Sequence, residues 1–126
     1  MKAFLISLTL LLVICVFIGI HSYIMFNLSK DITKKCEDAT ALANAEKWEK
    51  VVEQIDNIDK AWNKRRTWAS LTISTHEIDQ IEISLMQSRE FARLGEKSDF
   101  FGEFTMFTML VDHIPHQEGF HIEEIL

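Results

Sequence analysis

Residues that interrupt helices are almost missing from this chain. Its 126 residues include one proline and four glycines, and neither type occurs between Ile20 and Leu94. Ile, Leu and Trp recur there at helical rather than alternating spacing, so long helices are expected and strands are not. Gly19, Gly95, Gly102 and Gly119 stand singly, which excludes a glycine-rich loop of the kind that cradles phosphate. There are only two cysteines, Cys15 and Cys36. On one continuous helix they would lie roughly 30 Å apart, so an internal disulfide is excluded. Basic side chains are scarce in the second half: residues 67 to 126 carry three against eleven acidic ones, whereas residues 27 to 66 carry nine against eight. Such an acidic half repels nucleic acid and anionic lipid. No His-Glu-x-x-His element occurs, and the serines fall at cap-like or helix-surface positions. No activated Ser or Cys beside a held base can be read from the chain, so neither catalysis nor a cofactor is expected.

What is present in abundance is an uncharged run from Ala3 to Ser29 behind Met1 and Lys2. Within it, Phe4 to Phe26 is broken only by Ser7, Thr9, His21 and Ser22. As a helix this stretch spans roughly 34 Å, enough for the core of a bilayer. Gly19-Ile20-His21-Ser22-Tyr23 makes a poor cleavage site, and the apolar character continues through Tyr23-Ile24-Met25-Phe26, so a retained single-pass anchor is expected rather than a signal peptide. A lipoprotein reading through Cys15 is weak, because Ile14 before it is bulky. Basic residues flank both ends of the run: Lys2 before it, and Lys30, Lys34 and Lys35 after it. The short amino-terminal tail favours a carboxy-terminal domain outside the cytoplasm. The expected division is an anchor over residues 1–28, with the bilayer contacted through residues 4–26, and a helical domain over residues 29–126.

The first helix should leave the membrane through Leu28, Ile32, Cys36, Ala39 and Leu42, with Cys36 a buried thiol, and break near Asn44 as the cap of the next. A second helix from about Ala45 carries the stripe Trp48, Val52, Ile55, Ile58 and Trp62 and continues past Trp68 to Leu71. Ser74-Thr75-His76-Glu77 has the form of a capping box, so a third helix begins there. Its face is Ile78, Ile81, Leu85 and Ala92, widened by Ile83, Met86, Phe91 and Leu94, and Gly95 ends it in the left-handed conformation. Ser98 caps a fourth helix through Phe100, Phe104, Phe107, Val111 and Ile114, which should stop at Pro115. Short connections imply antiparallel neighbours. The expected fold is all-α: an N-terminal transmembrane helix continuing into a small antiparallel bundle of about four helices. Trp48, Trp62 and Trp68 with the phenylalanines are read as core rather than as a cofactor box.

Two groups could carry a specific function. Lys64-Arg65-Arg66 is the one concentrated positive patch, a solvated helix face or a site for phosphate or an acidic partner. His76 and His113 should approach each other if the third and fourth helices are antiparallel, with Asp79, Glu82 and Asp112 near them, a mixed donor set that would suit zinc. Against a metal, Pro115 interrupts His113-x-x-His116, and cap or interhelix hydrogen bonding is the plainer role for these histidines.

The order of features carries a resemblance: an amino-terminal anchor, Glu46-Lys47-Trp48-Glu49-Lys50, Trp62, Trp68, His76-Glu77-Ile78-Asp79 with Ile81 and Ser84-Leu85, then His113-Ile114-Pro115 and Ile125-Leu126. Over nearly its whole length the chain resembles a family of small membrane-anchored proteins of spore-forming Gram-positive bacteria, known as domain of unknown function four-three-six-three. The resemblance implies a membrane-tethered helical domain with no established activity, ligand or catalytic residue. It also implies a gene encoded near those of multi-pass membrane proteins, hence an accessory subunit that binds another membrane protein. The rival reading is an extracytoplasmic ligand or metal sensor at His76, Asp79 and His113, and self-association as a homo-oligomer is the third.

Overall fold

A computed structural model describes the backbone of residues 1–125 and the side chains of residues 1–114. Four helices account for nearly all of it: α1 (Lys2–Asn44), α2 (Trp48–Ala69), α3 (Thr75–Leu94) and α4 (Lys97–Ile125). Helix α1 packs on α2 and α4, and α3 packs on the same two, so α1 and α3 occupy one diagonal of an up-down-up-down bundle. No strand occurs among the described residues. Residues 1–20 are exposed throughout, and the buried stripe of α1 starts at His21 and Met25, then follows Leu28, Ile32, Cys36, Ala39 and Ala43. Met25 thus belongs to the bundle core, and the stretch in which every residue is exposed ends at Ile20. The end of the bundle where this run departs is called here the near end.

The core follows the spacing of the apolar residues. Val51, Ile55, Ile58 and Trp62 of α2 are buried, with Trp48 and Val52 half-buried beside them. All five expected residues of α4, Phe100, Phe104, Phe107, Val111 and Ile114, are buried. Phe104 stacks on Phe100 at a centroid distance of 5.0 Å and on Phe107 at 6.0 Å, and the Trp48 ring meets Phe100 edge-on at 5.6 Å. On α3, Ile78, Ile81, Leu85 and Ala92 point inward as expected. Ile83, Met86 and Leu94 do not widen that face; they are 54%, 68% and 68% exposed. Ser84 and Ser88 lie on the buried arc instead, each hydroxyl donating to a carbonyl of its own helix, Ile81 and Ser84.

The helix ends show which local signals operate. Ser74 caps α3, its hydroxyl accepting from the Glu77 amide at 3.3 Å. Gly95 ends α3 at φ 69°, with Glu96 N donating to Phe91 O and Gly95 N to Ala92 O, the paired bonds of a Schellman turn. The same two bonds close α1, from Lys47 N to Leu42 O and Glu46 N to Ala43 O. The left-handed residue there is Glu46, at φ 57°. Asn44 therefore belongs to α1 and does not cap α2, because the turn satisfies the carbonyls of α1 rather than the amides of α2. Helix α2 stops at Ala69, short of Leu71, where Ile73 N folds back to Ala69 O. Helix α4 begins at Lys97, one residue before the expected cap Ser98, with Phe100 N bonded to Glu96 O.

Pro115 does not end α4, whose backbone continues to Ile125. A proline inside a helix withholds its amide from the carbonyl four residues earlier, here that of Val111. The buried Ser29 hydroxyl of α1 donates to Val111 O at 3.2 Å. The acceptor that Pro115 leaves open is thus satisfied from the neighbouring helix, and the expected stop is removed.

These turns and this bond give three stability predictions. Glu46→Gly should raise stability by about 0.5 to 1 kcal/mol, the left-handed penalty less the entropy of glycine, and Gly95→Ala should lower it by about 1 kcal/mol. The cause at Gly95 is the dihedral alone, since an added Cβ would stand 3.7 Å from the Trp48 ring. Ser29→Ala should cost about 1 to 3 kcal/mol in the natural chain and clearly less in a Pro115→Ala background, where residue 115 can donate to Val111 itself. Thermal unfolding followed by circular dichroism measures the natural chain and the five variants, and equal Ser29→Ala costs in the two backgrounds would refute the coupling.

Candidate functional site

The near end gathers polar and aromatic groups that the sequence disperses. His21 is 4% exposed, and its Nε2 lies 2.8 Å from the carbonyl of Trp68 in the last turn of α2. A carbonyl only accepts, so Nε2 carries the hydrogen. His21 on α1 thereby helps to cap the C-terminus of α2, adding a second donor to a carbonyl that also accepts from Leu71 N at 3.3 Å. Phe17 joins them, 6.0 Å from the Trp68 ring and 6.5 Å from His21. In the sequence His21 looks like a polar break in an apolar run. Its three- and four-residue spacing to Met25, Leu28 and Ile32 is the signal that places it on the packed face.

The three cations of α2 do not act alike. Arg66 donates through Nε to Glu82 Oε1 on α3, and the same oxygen accepts from Trp62 Nε1 at 3.4 Å. Arg66 is therefore a clasp between α2 and α3. Lys64 and Arg65 instead line a groove of about 280 Å³ between α1 and α2, opposite Tyr23, Asn27 and Asp31. A second groove, of about 300 Å³, lies between α1 and α4, where Lys30 and Lys34 face Glu37 and Asp112.

His76, Asp79 and His113 are all exposed. The His76 ring accepts from Gln80 Nε2 at 3.2 Å within its own helix. Of the acids expected near them, Glu82 is turned to Arg66 and Asp112 to the groove beside α1. Among the described residues, no group of three or more His, Cys, Asp or Glu side chains is placed to hold a metal ion. The side chains of His116 and His121 lie outside the described residues. Cys36 is buried at the α1–α4 contact, and burial pushes its thiol up to about 11, against a smaller opposing effect of a hydrogen bond with Thr108. It is held protonated at neutral pH, a poor nucleophile.

A family model described as Domain of unknown function (DUF4363) matches residues 20–125. Its first matched residue adjoins His21, where the packed part of α1 begins. No curated protein and no solved structure matches the chain.

The Cys36 thiol gives a pH prediction with a definite sign. Its ordinary value is 9.0 and its folded value about 11, so the unfolded chain loses its proton first. The contribution is fully present below pH 9.0 and is lost as pH rises from there to about 11. Denaturant midpoints measured across that window should fall less steeply for Cys36→Ala than for the natural chain. Parallel slopes would show that the thiol titrates no differently in the two states.

Proposed function

From the premise that the chain belongs to this family of unknown function, shared over residues 20–125, we propose that it is a noncatalytic, single-pass membrane-tethered bundle serving as an accessory, protein-binding subunit of a membrane complex. The observation that carries the reading is the amino-terminal part of α1, which is long and apolar enough to cross a membrane and has none of its most apolar 18-residue window buried. From Lys2 to Ile20 it extends roughly 28 Å, close to the thickness of a bilayer core. A fully exposed apolar helix of that length is unfavourable in water and favourable in lipid. On this reading the bundle lies on the extracytoplasmic side, and the unbroken passage of α1 into the stripe starting at His21 supports a seat directly on the bilayer surface.

Two further features support an interaction role. Ile83, Met86 and Leu94 of α3 and Met106 and Met109 of α4 are exposed, and flexible thioethers suit surfaces that fit a protein partner. The hydroxyls and the buried thiol are engaged structurally: Ser29, Ser84 and Ser88 donate to backbone carbonyls and Cys36 stays protonated. These engagements support a noncatalytic role.

Full-length protein in native membranes should resist carbonate extraction, be digested by protease added to intact protoplasts, and crosslink to another membrane protein. Ile83→Glu with Met106→Glu should reduce that crosslink about tenfold without changing the melting temperature. Release by carbonate would refute the tether, and crosslinks only between copies of this chain would replace the accessory role with self-association.

A further inference from the structure

The groove between α1 and α2 is built from two facing ribbons of side chains. On α2, Lys64 and Arg65 stand three and four residues beyond Ala61 and share its face, and on α1 Tyr23, Asn27 and Asp31 share one face at four-residue spacing. Ala61 is too small to fill the space between the helices, which leaves the groove open along its floor. Arg65 is half-buried and Lys64 exposed, and neither has an ion-pair partner among the described residues. The one acid lining the groove, Asp31, is bonded to Lys35 at 2.8 Å, so its charge is already compensated. The groove therefore carries an uncompensated positive charge. The companion groove beside α4 does not, because Lys30 and Lys34 share it with Glu37 and Asp112.

The height of the groove decides what can reach it. Tyr23 is three residues beyond Ile20, the last residue of the exposed run, so the groove opens roughly 5 Å above the apolar boundary, within the layer of lipid headgroups. The Tyr23 side chain is 70% exposed, an aromatic with a polar tip where such residues suit the interface. We propose that this groove binds the headgroup phosphate of an anionic phospholipid, with Lys64 and Arg65 as the phosphate ligands. This rests on the membrane-tethered reading above. A choline headgroup would bring its own cation against Lys64 and Arg65, so a phospholipid with an uncharged polar headgroup, such as phosphatidylglycerol, is preferred.

The test uses full-length protein in nanodiscs of phosphatidylcholine alone or mixed with phosphatidylglycerol, with retained lipid measured by native mass spectrometry. Phosphatidylglycerol should be retained about tenfold over phosphatidylcholine, an effect of the size two near-surface cations supply, and less at high salt. Lys64→Gln with Arg65→Gln should abolish the preference. Lys47→Gln with Lys50→Gln, which removes the same charge at the opposite end of the bundle, should preserve it. Equal retention of the two lipids, or equal loss in both double variants, would overturn the proposal. So would a melting shift with inorganic phosphate as large as that with phosphatidylglycerol, which would assign the groove to a soluble anion. Failure of the chain to enter nanodiscs at all would overturn the membrane reading and this one together, whereas entry without selectivity overturns this one alone.

Discussion

Everything in this fold is phased by the continuity of α1. A helix that never interrupts its hydrogen bonding from Lys2 to Asn44 fixes the rotational position of each residue relative to every other. The stripe His21, Met25, Leu28, Ile32, Cys36, Ala39 and Ala43 then determines which side of the apolar run faces α2 and α4. The size gradient along that stripe matters as much as its spacing. Its residues shrink from Met25, Leu28 and Ile32 to Cys36, Ala39 and Ala43, and antiparallel α4 brings Phe107, Phe104 and Phe100 toward the small end. Large residues on one helix occupy the volume that small ones on its neighbour release, which is how a bundle of this size reaches dense packing.

The interior is apolar but not free of polar groups: Ser84 and Ser88 bond within α3, whereas Ser29 and His21 are spent on a helix defect and a helix end. Ser29 completes the acceptor that Pro115 leaves at Val111, and His21 adds a second donor to one at the end of α2. Among the described residues no buried side-chain nitrogen or oxygen lacks a partner. The bonds of Ser29 and His21 cross between helices, so each also fixes the register of a neighbour. Glu82 plays a related part at the surface, holding Trp62 and Arg66 of α2 to α3 through one oxygen.

Helix number, helix order and most of the core were legible in the sequence because they follow from period and from two strong caps, Ser74 and Gly95. The misread ends share a physical cause. Asn44, Ser98 and Pro115 are local signals, and each was overruled by a neighbour: the Schellman turn at Glu46, the earlier start of α4 at Lys97, and the hydroxyl of Ser29. Ile83, Met86 and Leu94 were assigned to the core because composition cannot say how wide a packed face is. The groove at Lys64 and Arg65 was only half visible. A run of three cations shows in the sequence, but not that Glu82 removes Arg66 from it, nor that Tyr23 and Asn27 complete it from another helix.

A bundle fused without a hinge to its apolar amino-terminal helix has the geometry of a lever. From His21 to Asn44 the rigid arm is roughly 35 Å long, and helices in bilayers tilt by about 20° on average. On the membrane-tethered reading, a tilt of that size displaces the turn at Glu46 sideways by about 12 Å, with no change in any internal contact. Local bilayer thickness, which biases the tilt, would thereby be converted into the lateral reach of the outer loops over whatever stands beside them.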